Sequence, residues 1–162
     1  MFQKQRFIFI HGLEGSSQGV KARLLRSMYP DILTPDFRGS IAERMTFLQG
    51  VLADNVGWTI VGSSYGGLMA TLFACQHPEQ ISKLILLAPA LVLLTDEDYP
   101  VQPLSIPVII YHGRQDQIIP LEQTRFLAEK LFSNLVFHQV DDDHGLYQTV
   151  HEIKWQKLLE TE

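Results

Sequence analysis

A serine flanked by glycines follows an apolar run near the middle of the chain. The six residues from position 62 read Gly-Ser-Ser-Tyr-Gly-Gly, so that Gly62, Ser64 and Gly66 fit the spacing G-x-S-x-G. A serine on a sharp turn from strand to helix is strained, and its neighbours come too close to other chain segments to carry a Cβ. Such a turn exposes the hydroxyl to the free amides of the following helix. The spacing indicates a nucleophilic role for Ser64; a glycine-rich turn without chemistry is the alternative.

A serine hydroxyl becomes an effective nucleophile when a neighbouring base takes its proton and a carboxylate orients that base. His144 is the candidate base, because it alone among the six histidines lies in a loop after the last apolar run. Asp116 is the candidate acid, since a short loop connects it to the run before. The order serine, acid, histidine fits a triad built at the edge where parallel strands end.

Other interpretations of the acid and the base remain open. Three carboxylates in a longer loop, Asp96, Glu97 and Asp98, leave the same edge of the predicted sheet and are rivals to Asp116. Asp116 also fits a turn residue ahead of a helix that opens near Pro120. His144 on its own would be an ordinary surface or core histidine.

Acyl transfer also needs hydrogen-bond donors for a developing oxyanion. Tyr65 follows the candidate nucleophile and supplies one backbone N–H, and Leu13, in a glycine-rich loop, is the best candidate for the second. We expect His11, Gly12, Leu13 and Tyr65 to bind the substrate. The same loop could be a tight turn with no binding role.

The elements that must position these residues alternate along the chain. Six short apolar runs predict strands at residues 7–10, 31–34, 58–61, 84–87, 108–111 and 135–140. Between them, apolar residues recur with helical spacing, and Leu146, Val150 and Ile153 mark a last helix. Strands without in/out alternation are typical of a parallel sheet covered on both faces. The fold class is therefore α/β, a three-layer sandwich with a mostly parallel sheet.

Composition restricts the function further. The 162 residues carry a net charge of −5 and 46% hydrophobic residues, which predicts one domain over 1–162. There is no basic cluster, so nucleic acid is not an expected partner. The single cysteine, Cys75, predicts neither a disulfide nor a cysteine metal site. The apolar run at 7–10 is too short for a signal peptide or a membrane span, so we expect a cytoplasmic protein without membrane insertion.

Nucleotide binding is disfavoured by the glycine-rich loop itself. A Walker loop counted from Gly15 needs glycine at position 20, where Val20 stands, and Lys21 is followed by Ala22. The dinucleotide pattern fails as well, because Glu14 occupies the place of its second glycine.

These residues together resemble the α/β-hydrolase superfamily, and within it small esterases without a lid. The stretches that carry the resemblance lie at residues 7–12, 60–67, 112–116, 118–120 and 143–145. The resemblance implies Ser64 as nucleophile, Asp116 as acid and His144 as base. It also implies a sheet of about six strands in the order 2-1-3-4-5-6, without a cap domain, because residues 89–106 are too few for one.

The function expected from these observations is that of a carboxylesterase-like serine hydrolase acting on small or medium acyl esters through an acyl-enzyme. A thioesterase or another acyl hydrolase or transferase on the same triad is the nearest alternative, and a non-catalytic binding module on the same scaffold is another. No metal or cofactor is expected, and the partner is a small-molecule acyl ester or thioester, bound by a monomer or homodimer. Leu91 to Leu94 fit either an apolar acyl pocket or a helical turn over the sheet.

Overall fold

Five parallel strands form one sheet in the computed structural model, which describes residues 4–160. Each strand pairs with the next one along the chain, which gives the order β1-β2-β3-β4-β5. The strands are β1 (Arg6–Ile10), β2 (Trp58–Ser63), β3 (Ile81–Leu87), β4 (Val108–Gly113) and β5 (Leu135–Val140). Because all of them run in one direction, their carboxyl ends lie along the same edge of the sheet.

The expected count of six strands is wrong by one, and with it the order 2-1-3-4-5-6. The segment at residues 31–34 makes only an isolated bridge, between Leu33 and Ile8, on the edge of β1 away from β2. The Phe9 N–H donates to the Leu33 carbonyl at 2.8 Å, and the Leu33 N–H donates to the Phe7 carbonyl at 3.0 Å. The next donor of a parallel ladder would belong to residue 35, which is Pro35 and has no N–H. The pairing therefore stops after one bridge.

Helices cover both faces of the sheet, so the α/β class and the three layers are confirmed. The helices are α1 (Val20–Met28), α2 (Ile41–Leu52), α3 (Tyr65–Gln76), α4 (Leu121–Leu131), α5 (Tyr147–Glu152) and α6 (Trp155–Leu159). One apolar core holds α2, α3 and α4 against one face, where Ile8, Ile60 and Ile110 point. A second core holds α1, α5 and α6 against the other, with Phe9 and Val61. No helix within residues 4–160 is long and apolar enough to span a membrane.

Local sequence sets where these helices begin and end. Ser40 caps α2: its Oγ accepts from the Glu43 N–H at 3.2 Å, and the Glu43 carboxylate accepts from the Ser40 N–H at 2.8 Å. The end of the chain forms two helices where the sequence predicted one. Helix α5 ends at Glu152, Ile153 is extended, and α6 starts at Trp155.

The segment at residues 89–106 packs on the sheet without forming a cap. It contains two short 3-10 turns, Leu91–Leu93 and Asp96–Asp98. Leu91 is fully buried in the core beside α2, α3 and α4, which favours the interpretation as a turn covering the sheet. Further along, the Leu104 N–H donates to the Leu131 carbonyl at 2.8 Å and fastens the segment to the end of α4.

Candidate active site

Ser64 occupies a strained turn between β2 and α3. Its backbone has φ 54° and ψ −112°, in the positive-φ region that non-glycine residues rarely adopt. The surrounding structure holds this conformation, since the Ser64 N–H donates to the Leu87 carbonyl at 2.9 Å and the Ser64 carbonyl accepts from the Ala90 N–H at 3.0 Å. Strain of this kind persists where neighbours over-determine the backbone, and it concentrates at functional sites.

The two glycines of the motif are required by close approach of the backbone. A Cβ on Gly66 would lie 2.0 Å from the Ile10 carbonyl oxygen, at the end of β1. A Cβ on Gly62 would lie 2.5 Å from the Gly66 carbonyl oxygen. These distances are far below any van der Waals contact, so the spacing G-x-S-x-G is what lets the turn sit against the sheet.

His144 lies between the serine and the aspartate. Its Nε2 is 3.0 Å from Ser64 Oγ, and its Nδ1 is 2.8 Å from Asp116 Oδ2. An ionised carboxylate only accepts hydrogen bonds, so Nδ1 carries the hydrogen and Nε2 is left to accept from the serine hydroxyl. The structure thus brings together three side chains that the sequence separates by 80 and 28 positions.

Asp116 is held as a buried carboxylate by the turn after β4. Its side chain is fully buried, and its Oδ1 accepts from the N–H groups of Ile118 and Ile119 at 2.9 and 2.8 Å. These bonds compensate the carboxylate for lost water and fix the direction of Oδ2. Asp116 therefore lies in a turn, as the alternative interpretation predicted, and also contacts His144.

Two other carboxylates, the rival Asp98 and the loop residue Asp142, have partners of their own. Asp98 caps a turn, where its Oδ2 accepts from the Thr95 N–H at 2.7 Å and from the Thr95 hydroxyl at 3.0 Å. Asp142, two residues before His144, accepts from the Thr149 N–H and hydroxyl at 2.9 and 2.8 Å. Burial acts to raise the pKa of Asp142, but the bonds from Thr149 and nearby amides outweigh it and the pKa is lowered.

His112 also contacts Asp116, a contact that we did not expect from the sequence. Its Nε2 lies 3.3 Å from Asp116 Oδ2 and 2.9 Å from the Ile119 carbonyl oxygen, and the side chain is fully buried. Burial lowers the pKa of His112, against the opposing influence of the Ile119 carbonyl and Asp116. The available signal was the spacing of four residues between a histidine that ends a buried strand and the candidate acid.

The segments that carry the predicted backbone donors lie beside Ser64. Tyr65 is the first residue of α3, where N–H groups have no partner within the helix. Gly12 approaches the serine so closely that a Cβ built on it would lie 3.6 Å from Ser64 Cβ. The Gly12 carbonyl accepts from the Gly15 N–H at 3.1 Å and lies 2.7 Å from His11 Nδ1. Because N–H and C=O oppose each other in a trans peptide, these bonds also fix the direction of the Leu13 N–H.

The His11 ring is buried and bonded to the protein on both sides. The Phe37 N–H donates to its Nε2 at 2.9 Å, which places the ring hydrogen on Nδ1, where it donates to the Gly12 carbonyl. Of the four residues expected to bind substrate, His11 thus has both ring nitrogens occupied within the protein. Leu13, in contrast, is 57% exposed.

Arg44 of α2 is a second residue that sequence reasoning missed. It is buried, its Nη2 donates to the Leu13 carbonyl at 3.4 Å, and its guanidinium lies 5.3 Å from the centre of the Tyr65 ring. One cation therefore contacts both residues whose amides are the predicted donors. Nothing in its sequence context, inside a helix after Glu43, distinguishes Arg44 from a surface charge.

Within residues 4–160, no group of three or more His, Cys, Asp or Glu side chains is arranged to hold a metal ion. The chemistry that the arrangement can perform is proton transfer from a serine hydroxyl to an imidazole that a buried carboxylate orients.

Comparison with known proteins identifies the fold. A family model described as alpha/beta hydrolase fold matches residues 52–102, which include β2, the Ser64 turn and α3. No curated protein sequence matches this chain.

Many solved structures share its architecture. Alpha/beta hydrolase domain-containing protein 10 from mouse is 18% identical with a TM-score of 0.75, over 94% of this chain and 88% of that chain. An esterase from Exiguobacterium antarcticum is 15% identical with a TM-score of 0.77, over 98% and 91%. Est1E from Butyrivibrio proteoclasticus, solved with ferulic acid bound, is 19% identical with a TM-score of 0.70, over 96% and 90%. The chain therefore has the α/β-hydrolase fold, as the resemblance implied.

Proposed function

We propose that this protein is a serine hydrolase that cleaves small or medium acyl esters, with Ser64 as nucleophile, His144 as general base and Asp116 as the residue that orients the base. One observation carries the proposal: His144 bridges the serine and the buried carboxylate, at 3.0 Å from Ser64 Oγ and 2.8 Å from Asp116 Oδ2. A structural histidine has no need of a strained serine on one side and a desolvated carboxylate on the other.

The reaction follows from these contacts. His144 Nε2 takes the hydroxyl proton while Ser64 Oγ attacks the carbonyl carbon, and the carbonyl electron pair moves onto oxygen. The N–H groups of Leu13 and Tyr65 stabilise that oxyanion, and a single donor of this kind typically contributes ~10²–10³ in rate. The tetrahedral intermediate then expels the alcohol, which receives the proton from His144 and leaves an acyl-serine. Water, deprotonated by the same imidazole, hydrolyses the acyl-serine and releases the acid.

The substrate class rests on the bond that this chemistry cleaves and on the size of the segment over the site. Alcohols are good leaving groups once protonated. Among the structurally similar proteins, one is an esterase and another was solved with ferulic acid bound. Residues 89–106 contribute two 3-10 turns in place of a cap, which suits acyl groups of small or medium size. Thioesters undergo the same reaction and are the second candidate substrates.

The direct test is a panel of p-nitrophenyl esters from two to twelve acyl carbons, with acyl thioesters beside it. We expect hydrolysis of the shorter esters by the wild-type protein, and a loss of about 10³-fold or more in kcat for Ser64→Ala. Ser63→Ala is the matched control, because Ser63 is the neighbouring serine, buried at the end of β2, and it should retain activity.

Two results would contradict the proposal. If the folded wild-type protein hydrolyses neither ester nor thioester, a binding module on the same scaffold becomes the better account. If Ser64→Ala retains wild-type activity, the hydrolysis belongs to a different group.

A further inference from the structure

The acceptor oxygen of the candidate acid faces two imidazoles. Asp116 Oδ2 lies 2.8 Å from His144 Nδ1 and 3.3 Å from His112 Nε2. The side chains of Asp116 and His112 are both fully buried, so solvent does not screen the electrostatic interaction between them. The mechanism proposed above uses only the contact of Asp116 with His144.

The neighbours of His112 fix which nitrogen carries its hydrogen. The Ile119 carbonyl, 2.9 Å from Nε2, can only accept, so Nε2 bears the hydrogen and donates it to Ile119, while Asp116 Oδ2 lies 3.3 Å from the same nitrogen. Nδ1 is buried and has no hydrogen-bond partner among residues 4–160, which suits a bare nitrogen better than a second N–H. The ring is stacked near Phe137, with centroids 6.4 Å apart and planes at 19°. His112 is thus a neutral donor with a fixed direction.

We propose that His112 is a positioning residue: the positive end of its Nε2–H group lies beside the Asp116 carboxylate and limits how strongly that carboxylate holds a proton on His144. The inference rests on the proposed function. A carboxylate beside the positive end of a neighbouring N–H group carries less negative potential at its remaining partner, so the His144 imidazolium is stabilised less. His144 is then kept in its unprotonated, base-competent form at lower pH than it would be beside Asp116 alone.

Other charged groups lie near His144 and remain unchanged by substitution of His112. Asp142 and Asp143 precede it in its own loop, and Lys21 of α1 interacts electrostatically with both. Ser64 faces it from the turn before α3 and is uncharged. A change in the titration of His144 on replacement of His112 therefore reports the contact with Asp116.

The test compares two replacements of His112. His112→Phe keeps a planar ring against Phe137 but removes the donor, whereas His112→Gln keeps an amide N–H near the position of Nε2. The readout is the acid limb of the pH dependence of kcat/KM with a p-nitrophenyl ester. We expect the midpoint of this limb to move upward by about half a pH unit or more in His112→Phe and to stay near the wild-type value in His112→Gln.

A second readout needs no activity. The titration of His144, followed by ¹⁵N NMR in the Ser64→Ala background, should shift in the same direction in His112→Phe. In the wild-type protein the His112 ring should show the Nε2–H tautomer between pH 6 and 8.5. Failure of ester hydrolysis would overturn the proposed function, while the NMR titration would still decide the role of His112.

The inference is overturned if folded His112→Phe leaves the His144 titration unchanged, or if His112→Gln shifts it as far as His112→Phe does. An Nδ1–H tautomer of His112 in the wild-type protein overturns it even where the Phe variant fails to fold.

Discussion

Asp116 makes four contacts through two oxygens, and the orientation of His144 depends on them. In Asp116→Asn the side-chain amide can present an N–H to His144 Nδ1, which favours the wrong imidazole tautomer. We expect kcat/KM for a short ester to fall by about 10²- to 10⁴-fold while the circular dichroism spectrum is retained. The matched control is Asp141→Asn, because the Asp141 carboxylate bonds to exposed Gln115 instead. Equal activity of Asp116→Asn and the wild type would exclude Asp116 as the orienting acid.

Cys75 should be chemically silent in the folded protein. Burial, with a smaller effect of the Asp98 charge, raises the pKa of its thiol to about 11. At pH 8 roughly one thiol in a thousand is then ionised, and only the thiolate reacts readily. We expect iodoacetamide to modify Cys75 at least about 100-fold more slowly in buffer than in denaturing urea, as judged by mass spectrometry. Rapid modification of the native protein would contradict this picture of Cys75 as a partly buried residue packed against the core.

Sequence patterns at this scale identified the three residues of the predicted triad but not the contacts around them. Ser64 is marked by flanking glycines, and His144 and Asp116 are marked by loops that follow apolar runs. Arg44 carries no such mark, since its partners come from other elements. His112 was marked only by its spacing of four residues from Asp116, which did not reveal their contact. Side-chain contacts between distant segments depend on packing, which local spacing does not encode.

At the scale of elements, the turn from β2 to α3 should tolerate almost no added volume. In Gly66→Ala the new Cβ would meet the backbone of Ile10 and force β1 and α3 apart, which should cost about 3 kcal/mol or more in the free energy of unfolding. Gly50→Ala is the control, because Gly50 lies within α2 and a Cβ there has nothing within 4 Å. That change should stabilise the protein by about 0.5–1 kcal/mol. Urea unfolding measures both, and similar effects of the two substitutions would contradict the steric account.

The apolar runs predicted all five strands. The sixth predicted strand, at residues 31–34, does not form, and the cause is local. Residues 31–34 are as apolar as a short strand needs, yet Pro35 removes the donor that would extend the ladder beyond Leu33. The prediction of one last helix was wrong for a different reason. The spacing of Leu146, Val150 and Ile153 is helical, but the chain turns extended at Ile153 and starts α6 with Trp155 in the core. Burial of Trp155 in the core accounts for the break between α5 and α6.

At the scale of the whole molecule, the parallel arrangement of the strands determines where the candidate site lies. The loops after β2, β4 and β5 leave one edge of the sheet, and they carry Ser64, Asp116 and His144 respectively. Topology of this kind follows from alternating strands and helices with right-handed crossovers, so the sequence was sufficient to predict the meeting of these loops. It was insufficient to predict distances within the site.

Stability should decline in mild acid, and His112 should contribute to the decline. Burial lowers the pKa of His112 in the folded protein below its unfolded value of about 6.5. Between the two values the unfolded chain binds more protons, so stability falls as pH drops through this window, by up to about 1.4 kcal/mol per pH unit. Urea unfolding at pH 7.5 and 5.5 should show a smaller loss for His112→Gln than for the wild type. Equal losses would mean that His112 is not held neutral by the fold.

The central claim is that Ser64 is an activated nucleophile, and covalent labelling tests it most directly. The folded protein is incubated with a fluorophosphonate, digested, and the modified peptide is sequenced by mass spectrometry. We predict one adduct per chain, on Ser64, formed in the wild type and in Ser63→Ala but lost in Ser64→Ala and in urea. An unlabelled Ser64 in the folded wild-type protein, or an adduct on another residue, would contradict the account.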